Sequence, residues 1–439
     1  MKVIHLISGA GPMYCGSCMH GNTLAAALRK AGVDAILAPL YTPLRTDEEN
    51  ISINRLAMGG INVYLDESRP WWRWMPAFLR RELDRPSLVR WAARRGTQTR
   101  PEQLGRLTLA MLRGEDGPLK REVDQLIAWL KTEKRLKVVH LSNVMLVGLA
   151  GTLRDRLDVP VVATLSGEDT FLERLPQPYR DQAKAELCAR ARDLDGAIAM
   201  SDYYANFMAD YLIMPRELIE VIRPGLNLDG YEQGGTSMSL SEGRAFRQPA
   251  TIGFFSRICA DKGLHLLVEA LGAMKRLGMA PPFRLRVAGY IDKQDRPYLN
   301  DIRKRIASYR MADCFEYVGE LDKRSKIAFL QSLDLLCLPG VICESKGLPV
   351  LEAWACGVPV VLPDRGAFSE LVADTGGGLL YDPRKEGALV AALMRMLNDA
   401  AVAAECGRRG QAAVFERYTS AREAGEMLNF YRRLCRPPN

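Results

Sequence analysis

The sequence predicts an α/β protein built from two Rossmann-like domains, each a parallel sheet covered by helices. Three observations carry this. At 439 residues the chain is long enough for two domains of ordinary size, each with its own core. Short runs that are apolar on both faces alternate with segments of helical periodicity, as parallel strands buried between helices require. The alternation is interrupted once, at residues 229–249, by a Gly- and Ser-rich stretch with no periodic apolar face, which reads as a linker.

In the first series the apolar runs are 2–8, 34–41, 137–143, 159–166, 196–201 and 219–225. In the second they are 251–256, 283–290, 314–320, 333–340, 359–364 and 377–382. The helical segments between them fit right-handed βαβ units. The domains expected are therefore residues 1–228 and 250–416. The chain closes on a helical stretch, 417–439, with Ala421, Ala424, Met427, Leu428 and Tyr431 at i, i+3, i+4 spacing.

With 48% hydrophobic and 26% charged residues, the composition is that of a globular protein and not of a disordered one. The opening MKVIHLISGAG reads as a buried first strand and not as a signal peptide, and no apolar run approaches the roughly 20 residues of a membrane span. A cytoplasmic protein is expected. Ten scattered cysteines, several inside apolar strands, predict reduced and buried thiols. Cys15 and Cys18 have the spacing of a half-site, but there is no second CxxC, and Met19 stands before His20; no metal centre is expected.

The net charge of +8 is local. Between Arg69 and Arg121 stand 13 basic and 5 acidic residues, so the rest of the chain is balanced, which argues against a nucleic-acid partner with its broad basic footprint. This segment, within a stretch of about 66–130, mixes arginines with Trp71, Trp72, Trp74 and Trp91. Tryptophan and arginine together suit the surface of an anionic membrane, which would make the protein peripheral at the inner face of a membrane. Pro70, Pro76 and Pro86 break the segment into short pieces, which favours an insertion folded onto the first domain.

Ligands of open α/β sheets bind beyond the carboxyl ends of strands, and four segments with chemistry fall there. The first, SGAGPMYCGSCMHGN, is a glycine-rich turn leading into a helix; Gly16 and Ser17 are candidates for diphosphate or acceptor contact, or belong to a loop that needs glycine to turn. In the second, SRICADKG, Arg257 and Lys262 can neutralise a diphosphate, or are two solvated surface charges. The third is CESKGLPVLEAWACGVPVVLPD. Pro349 fits the first position of a two-turn helix and Gly357 the position after it, so the amides of Gly347 and Leu348 form an anion site. Glu344 is expected in the loop before this helix and Glu352 in its first turn, where they can accept bonds from sugar and ribose hydroxyls or act as caps. The fourth, YVGELDKRSK, places Leu321 where a nucleobase could rest. No DxD-like motif stands at a strand end, so no metal is expected. His5 and His265 read as structural, and His140 as a satisfied core or cleft-floor histidine rather than a catalyst.

The order and spacing of these segments resemble the retaining nucleotide-sugar glycosyltransferases of GT-B fold, in the large family numbered four. The most specific elements are Glu344-x7-Glu352 within ESKGLPVLEAWACGVPVV, then SRICADKG, SDYYANFM…IEVIRPGLNLDGY and RGAFSELV. The resemblance covers most of the chain apart from about 66–130. It implies two domains facing across a cleft, with the C-terminal helix returning to the first domain, which serves the acceptor. It also implies a nucleotide-diphosphate sugar as co-substrate with no cofactor, and transfer of a hexosyl-type group with retention. Arg257 and Lys262 would take the donor phosphates, Glu344 the transferred sugar, Glu352 the ribose, and the Gly347 and Leu348 amides the distal phosphate. The acceptor is left open: a saccharide, a glycolipid or a small molecule.

Two departures stand out. The family's ExFG-type motif reads Glu344-Ser345-Lys346-Gly347 here, adding a cation to the donor loop. Where many relatives carry a histidine in the first domain, this chain has TLSGED, with Ser166 at that position and Glu168 and Asp169 beside it; Ser166 and Asp169 are candidates for the sugar or acceptor side. The competing readings are a catalytically degenerate nucleotide-sugar-binding protein and a sugar-nucleotide epimerase of the same fold.

Overall fold

A computed structural model describes residues 1–9, 15–58, 101–232, 249–279 and 281–435. Its compact units are Met1–Arg223 with Ser420–Asn439, and Pro224–Thr419. The linker read at 229–249 lies outside the described residues from 233 to 248, as do Trp71, Trp72, Trp74 and Trp91 and the membrane reading built on them.

In the first unit, strands β1 (Lys2–Ile7), β2 (Asp34–Pro39), β3 (Leu136–Leu141), β4 (Val161–Thr164), β5 (Gly196–Ala199) and β6 (Ile219–Val221) form one parallel sheet in the order β2-β1-β3-β4-β5-β6. The pairing Lys2↔Asp34 through Ile7↔Pro39 sets β1 against β2, and His5↔His140 sets it against β3. Its helices are α1 (Gly16–Lys30), α2 (Pro101–Arg113), α3 (Lys120–Leu130), α4 (Ala150–Leu157), α5 (Asp169–Leu172), α6 (Tyr179–Ala191) and α7 (Asp202–Leu212).

In the second unit, β7 (Ala250–Phe255), β8 (Phe283–Ala288), β9 (Phe315–Gly319), β10 (Leu335–Cys337), β11 (Val360–Pro363) and β12 (Gly378–Tyr381) form a second parallel sheet, in the order β12-β11-β10-β7-β8-β9. The helices there are α8 (Leu264–Arg276), α9 (Arg296–Ser308), α10 (Lys323–Gln331), α11 (Leu348–Ala355), α12 (Ala367–Thr375), α13 (Ala388–Asn398) and α14 (Ala400–Arg417), and α15 (Ser420–Leu434) returns to the first unit. Both orders are those of doubly wound sheets, each with one point at which the winding direction reverses: between β1 and β3 in the first, between β7 and β10 in the second.

Alternation along the strands explains the layers. Val3, Val138, Val162 and Ile198 face one side of the first sheet, where they pack with Leu24 and Leu28 of α1 and with Ala424, Met427, Phe430 and Tyr431 of α15. Their neighbours Ile4, Val139, Val161 and Ala197 face the other side. Without α15 much of the first face would be left to water. The buried stripe of α15 differs from the one expected: Ala421 is exposed, whereas Glu423 and Phe430 are buried. A carboxylate is tolerated there because Glu423 Oε1 lies 2.6 Å from His20 Nε2 of α1.

The stretch read as an insertion also divides. Residues 101–130 form α2 and α3, whose Leu109, Leu112, Val123, Leu126 and Ile127 belong to the core of the first unit. All ten cysteines are unbridged, but the expectation that they are buried fails at Cys343 and Cys435, which are exposed. No helix among the described residues is long and apolar enough to cross a membrane.

Candidate functional site

Two side-chain clusters sit at the two reversal points. In the second unit β7 ends at Phe255, and the loop after it carries Arg257, exposed, and Lys262, in a 3-10 turn closed by Gly263. Gly263 has φ 77° and a Cβ there would stand 2.1 Å from the Pro339 carbonyl oxygen, so glycine alone lets this loop lie against the chain leaving β10. Val341 donates its amide to Asp261 at 2.7 Å across the same contact. That chain reaches Glu344, whose carbonyl accepts from Ala367 N–H at 2.8 Å, against Gly366. The result is an ion pair between Lys262 Nζ and Glu344 Oε1, each side chain about one-fifth exposed.

Gly347, at φ 75°, caps α11 three residues after Glu344. A Cβ on Gly347 would meet Leu371 at 2.3 Å. Gly357, at φ 71°, follows the helix, as the sequence implies. Glu352 corrects an expectation: it lies in the second turn of α11, because the helix starts at Leu348, and it is held by Lys326 of α10 at 2.5 Å. Both side chains are largely buried. Lys326 is the partner that sequence reasoning missed. Leu321 ends the loop after β9, next to Asp322, which caps α10 by accepting from Ser325 N–H at 2.8 Å.

In the first unit a cavity of about 540 Å³ opens beyond the ends of β1, β3 and β4. Ser17 and Ser166, 149 residues apart in sequence, meet there with their hydroxyls 3.5 Å apart. Ser166 donates its N–H and its hydroxyl to the two carboxylate oxygens of Glu168, each at 2.7 Å. Asp169 is oriented differently, accepting at 2.7 Å from the Tyr204 hydroxyl, which itself accepts from Gly167 N–H. Gly16 is exposed in the first turn of α1 and does not line the cavity.

The histidines stay structural. His140 is buried between the Tyr431 hydroxyl, 2.6 Å from Nδ1, and Thr164, 2.7 Å from Nε2. Burial, with His5 and His20 nearby, holds its pKa well below the ordinary histidine value, and burial takes His5 down to about 3. His265 shares the Tyr298 hydroxyl at 3.0 Å. Among the described residues no group of three or more His, Cys, Asp or Glu is placed to hold a metal ion.

Solved structures align over nearly the whole chain. Sucrose-phosphate synthase of Thermosynechococcus elongatus covers 99% of both chains at a TM-score of 0.70 and 19% identity. Anabaena HepE, solved in complex with UDP and glucose, covers 99% of this chain and 100% of its own at 0.66 and 17%. The fold is GT-B.

Family models agree with the GT-B architecture half by half. Residues 89–229 match the model described as Glycosyltransferase Family 4 and residues 241–413 the one described as glycosyl transferases group 1, so both halves carry glycosyltransferase-type domains. The first match begins inside the stretch read as an insertion, in keeping with α2 and α3 belonging to the core. A lipopolysaccharide core biosynthesis mannosyltransferase of Rhizobium meliloti is 32% identical over 42% of this chain and 52% of its own. Glycogen synthase of Mycobacterium tuberculosis is 28% identical over 64% of each. The chain thus spans between about half and two thirds of the length of these relatives.

Proposed function

We propose that this GT-B protein is a retaining glycosyltransferase that moves a hexosyl-type group from a nucleotide-diphosphate sugar to an acceptor hydroxyl. The observation that carries the reading is the Lys262–Glu344 pair at the reversal point of the domain that matches the glycosyl transferases group 1 model. In the reaction, the sugar's anomeric carbon forms a bond to the acceptor oxygen as its bond to the diphosphate breaks. The acceptor's proton leaves with the nucleotide diphosphate.

Arg257, Lys262 and the Gly347 and Leu348 amides stabilise the charge that develops on the diphosphate, a role that needs no metal ion in this reading. Glu344 accepts a hydroxyl of the transferred sugar and Glu352 those of the ribose. Donor binding then competes with the Lys262–Glu344 pair, and both groups are set free for phosphate and sugar together. Uridine nucleotides are the first to try, because the HepE complexes hold UDP and UDP-glucose.

The test is incubation with a panel of nucleotide sugars, with and without acceptors, followed by product analysis. Slow donor hydrolysis, abolished in Glu344→Gln, supports the reading; interconversion of the sugar indicates an epimerase, and tight binding without turnover a binding protein. Lys262→Ala and Arg257→Ala should each lower kcat/KM by about 2–4 kcal/mol in transition-state terms. A chelator should leave the rate unchanged.

A further inference from the structure

The cavity of the first unit has two chemically distinct ends. One wall is α2, which presents Leu104, Leu107 and Met111 at helical spacing, with Met145 and Phe171 beside them. Leu104 and Phe171 are 37% and 36% exposed, large apolar groups left in water at this cavity. At the other end Ser17 and Ser166 surround Glu168. Ser142, in the same lining, has a buried hydroxyl with no hydrogen-bond partner among the described residues.

Charge narrows the occupant. Among the described lining residues Glu168 is the only carboxylic acid, and none is Lys or Arg. A phosphate placed there would meet the Glu168 carboxylate with no cation among the described lining residues to offset it. A neutral hydroxyl fits: the Ser166 hydroxyl gives its proton to Glu168 and accepts from Ser17 at a long 3.5 Å, which leaves it one lone pair for a donor entering from the cavity. The volume of about 540 Å³ suits a small molecule or the end of a larger one, and an apolar wall rewards contact with an alkyl or aryl group.

We propose that this cavity is the acceptor site and that the acceptor is a neutral amphiphile, an alcohol whose hydroxyl reaches Ser166 while its alkyl or aryl body lies along α2. The acceptor role rests on the glycosyltransferase reading; the binding chemistry does not.

The experiment therefore uses the full chain without nucleotide sugar. The neutral fluorophore N-phenyl-1-naphthylamine serves as probe, displaced by n-octyl β-D-glucoside below its micelle concentration, by methyl β-D-glucoside and by octyl phosphate. Octyl glucoside should displace at a concentration at least tenfold lower than methyl glucoside, since each buried methylene strengthens binding roughly three- to fourfold. Octyl phosphate should be weaker than octyl glucoside. Leu104→Ser and Phe171→Ser, at exposed positions that should leave the fold intact, should each raise the displacing concentration threefold or more, and Met111→Trp should block the probe with little change in melting temperature. Equal potency of methyl and octyl glucoside, stronger binding of octyl phosphate, or no effect of the two serine variants overturns the proposal. Nucleotide-diphosphate binding measured in the same samples reports on the second unit separately, so failure of the transferase reading and failure of this one cannot be confused.

Discussion

Two lysine–glutamate pairs in the second unit are alike in chemistry and differ in burial, and the difference sets opposite expectations. Lys326 and Glu352 sit at 8% and 13% side-chain exposure, so removing the lysine leaves a carboxylate in a dry setting. Lys326→Met should destabilise the unit by about 3–5 kcal/mol, and adding Glu352→Leu should recover most of it, because a buried pair replaced as a whole costs little. Urea unfolding of the two variants measures this; equal stability of the single and double variants would refute it. Lys262 and Glu344 are more exposed, so Lys262→Met should cost under about 1 kcal/mol of stability while removing most turnover. The sequence displays Lys262 clearly, after a strand and before a helix. It hides Lys326, which stands among Lys323 and Arg324 on a short polar helix, and only the packing of α10 against α11 shows which of these cations is buried.

At the scale of elements, the loops that carry the candidate donor residues depend on left-handed glycines. Gly263→Ala places a Cβ 2.1 Å from the Pro339 oxygen as well as forcing an L-residue to φ 77°, whereas Gly387, at φ 74°, has nothing within 4 Å. Gly387→Ala should cost about 1 kcal/mol and leave donor binding unchanged. Gly263→Ala should cost more, about 1–3 kcal/mol from strain alone, and weaken nucleotide-diphosphate binding as the loop with Lys262 moves. Equal effects in thermal unfolding and nucleotide titration would count against the packing argument. The strands themselves were readable: each of the twelve apolar runs overlaps one, ten of them containing it whole and β3 and β7 starting one residue earlier, since a run that is apolar on both faces has few other places to go. The stripe of α15 was not, because the burial of Glu423 depends on His20, 403 residues away. Nor was the cavity, whose apolar wall comes from a helix inside a stretch that composition marks as basic and aromatic.

At the scale of the whole molecule, the last helix closes the first sheet, and the groups at that junction titrate. His5 and His140 lie on adjacent strands under Tyr431, whose hydroxyl is 2.6 Å from His140 Nδ1 and 3.3 Å from His5 Nε2, with the His20–Glu423 pair on the neighbouring helices. Burial first, then the nearby histidines, keeps both rings neutral in the folded chain, His5 down to about pH 3. In the unfolded chain a histidine takes up its proton near pH 6.5, so below that value the unfolded state binds more protons and stability falls as the pH drops. The loss begins near pH 6.5 and continues towards the depressed folded values; it reaches about 2 kcal/mol for His5 at pH 5, and His140 adds a loss of the same sign. Above pH 7 these two rings contribute no slope. Circular-dichroism melts between pH 7.5 and 5, a range in which few exposed carboxylates titrate, should therefore show a falling transition temperature for the first unit. In His140→Gln, which keeps polar contacts towards Tyr431 and Thr164, the fall should be less steep than in the wild type, whatever the variant's stability at pH 7.5. A wild-type curve that is flat over this range, or a variant as steep as wild type, would show that the two rings are not held neutral by their burial beneath α15.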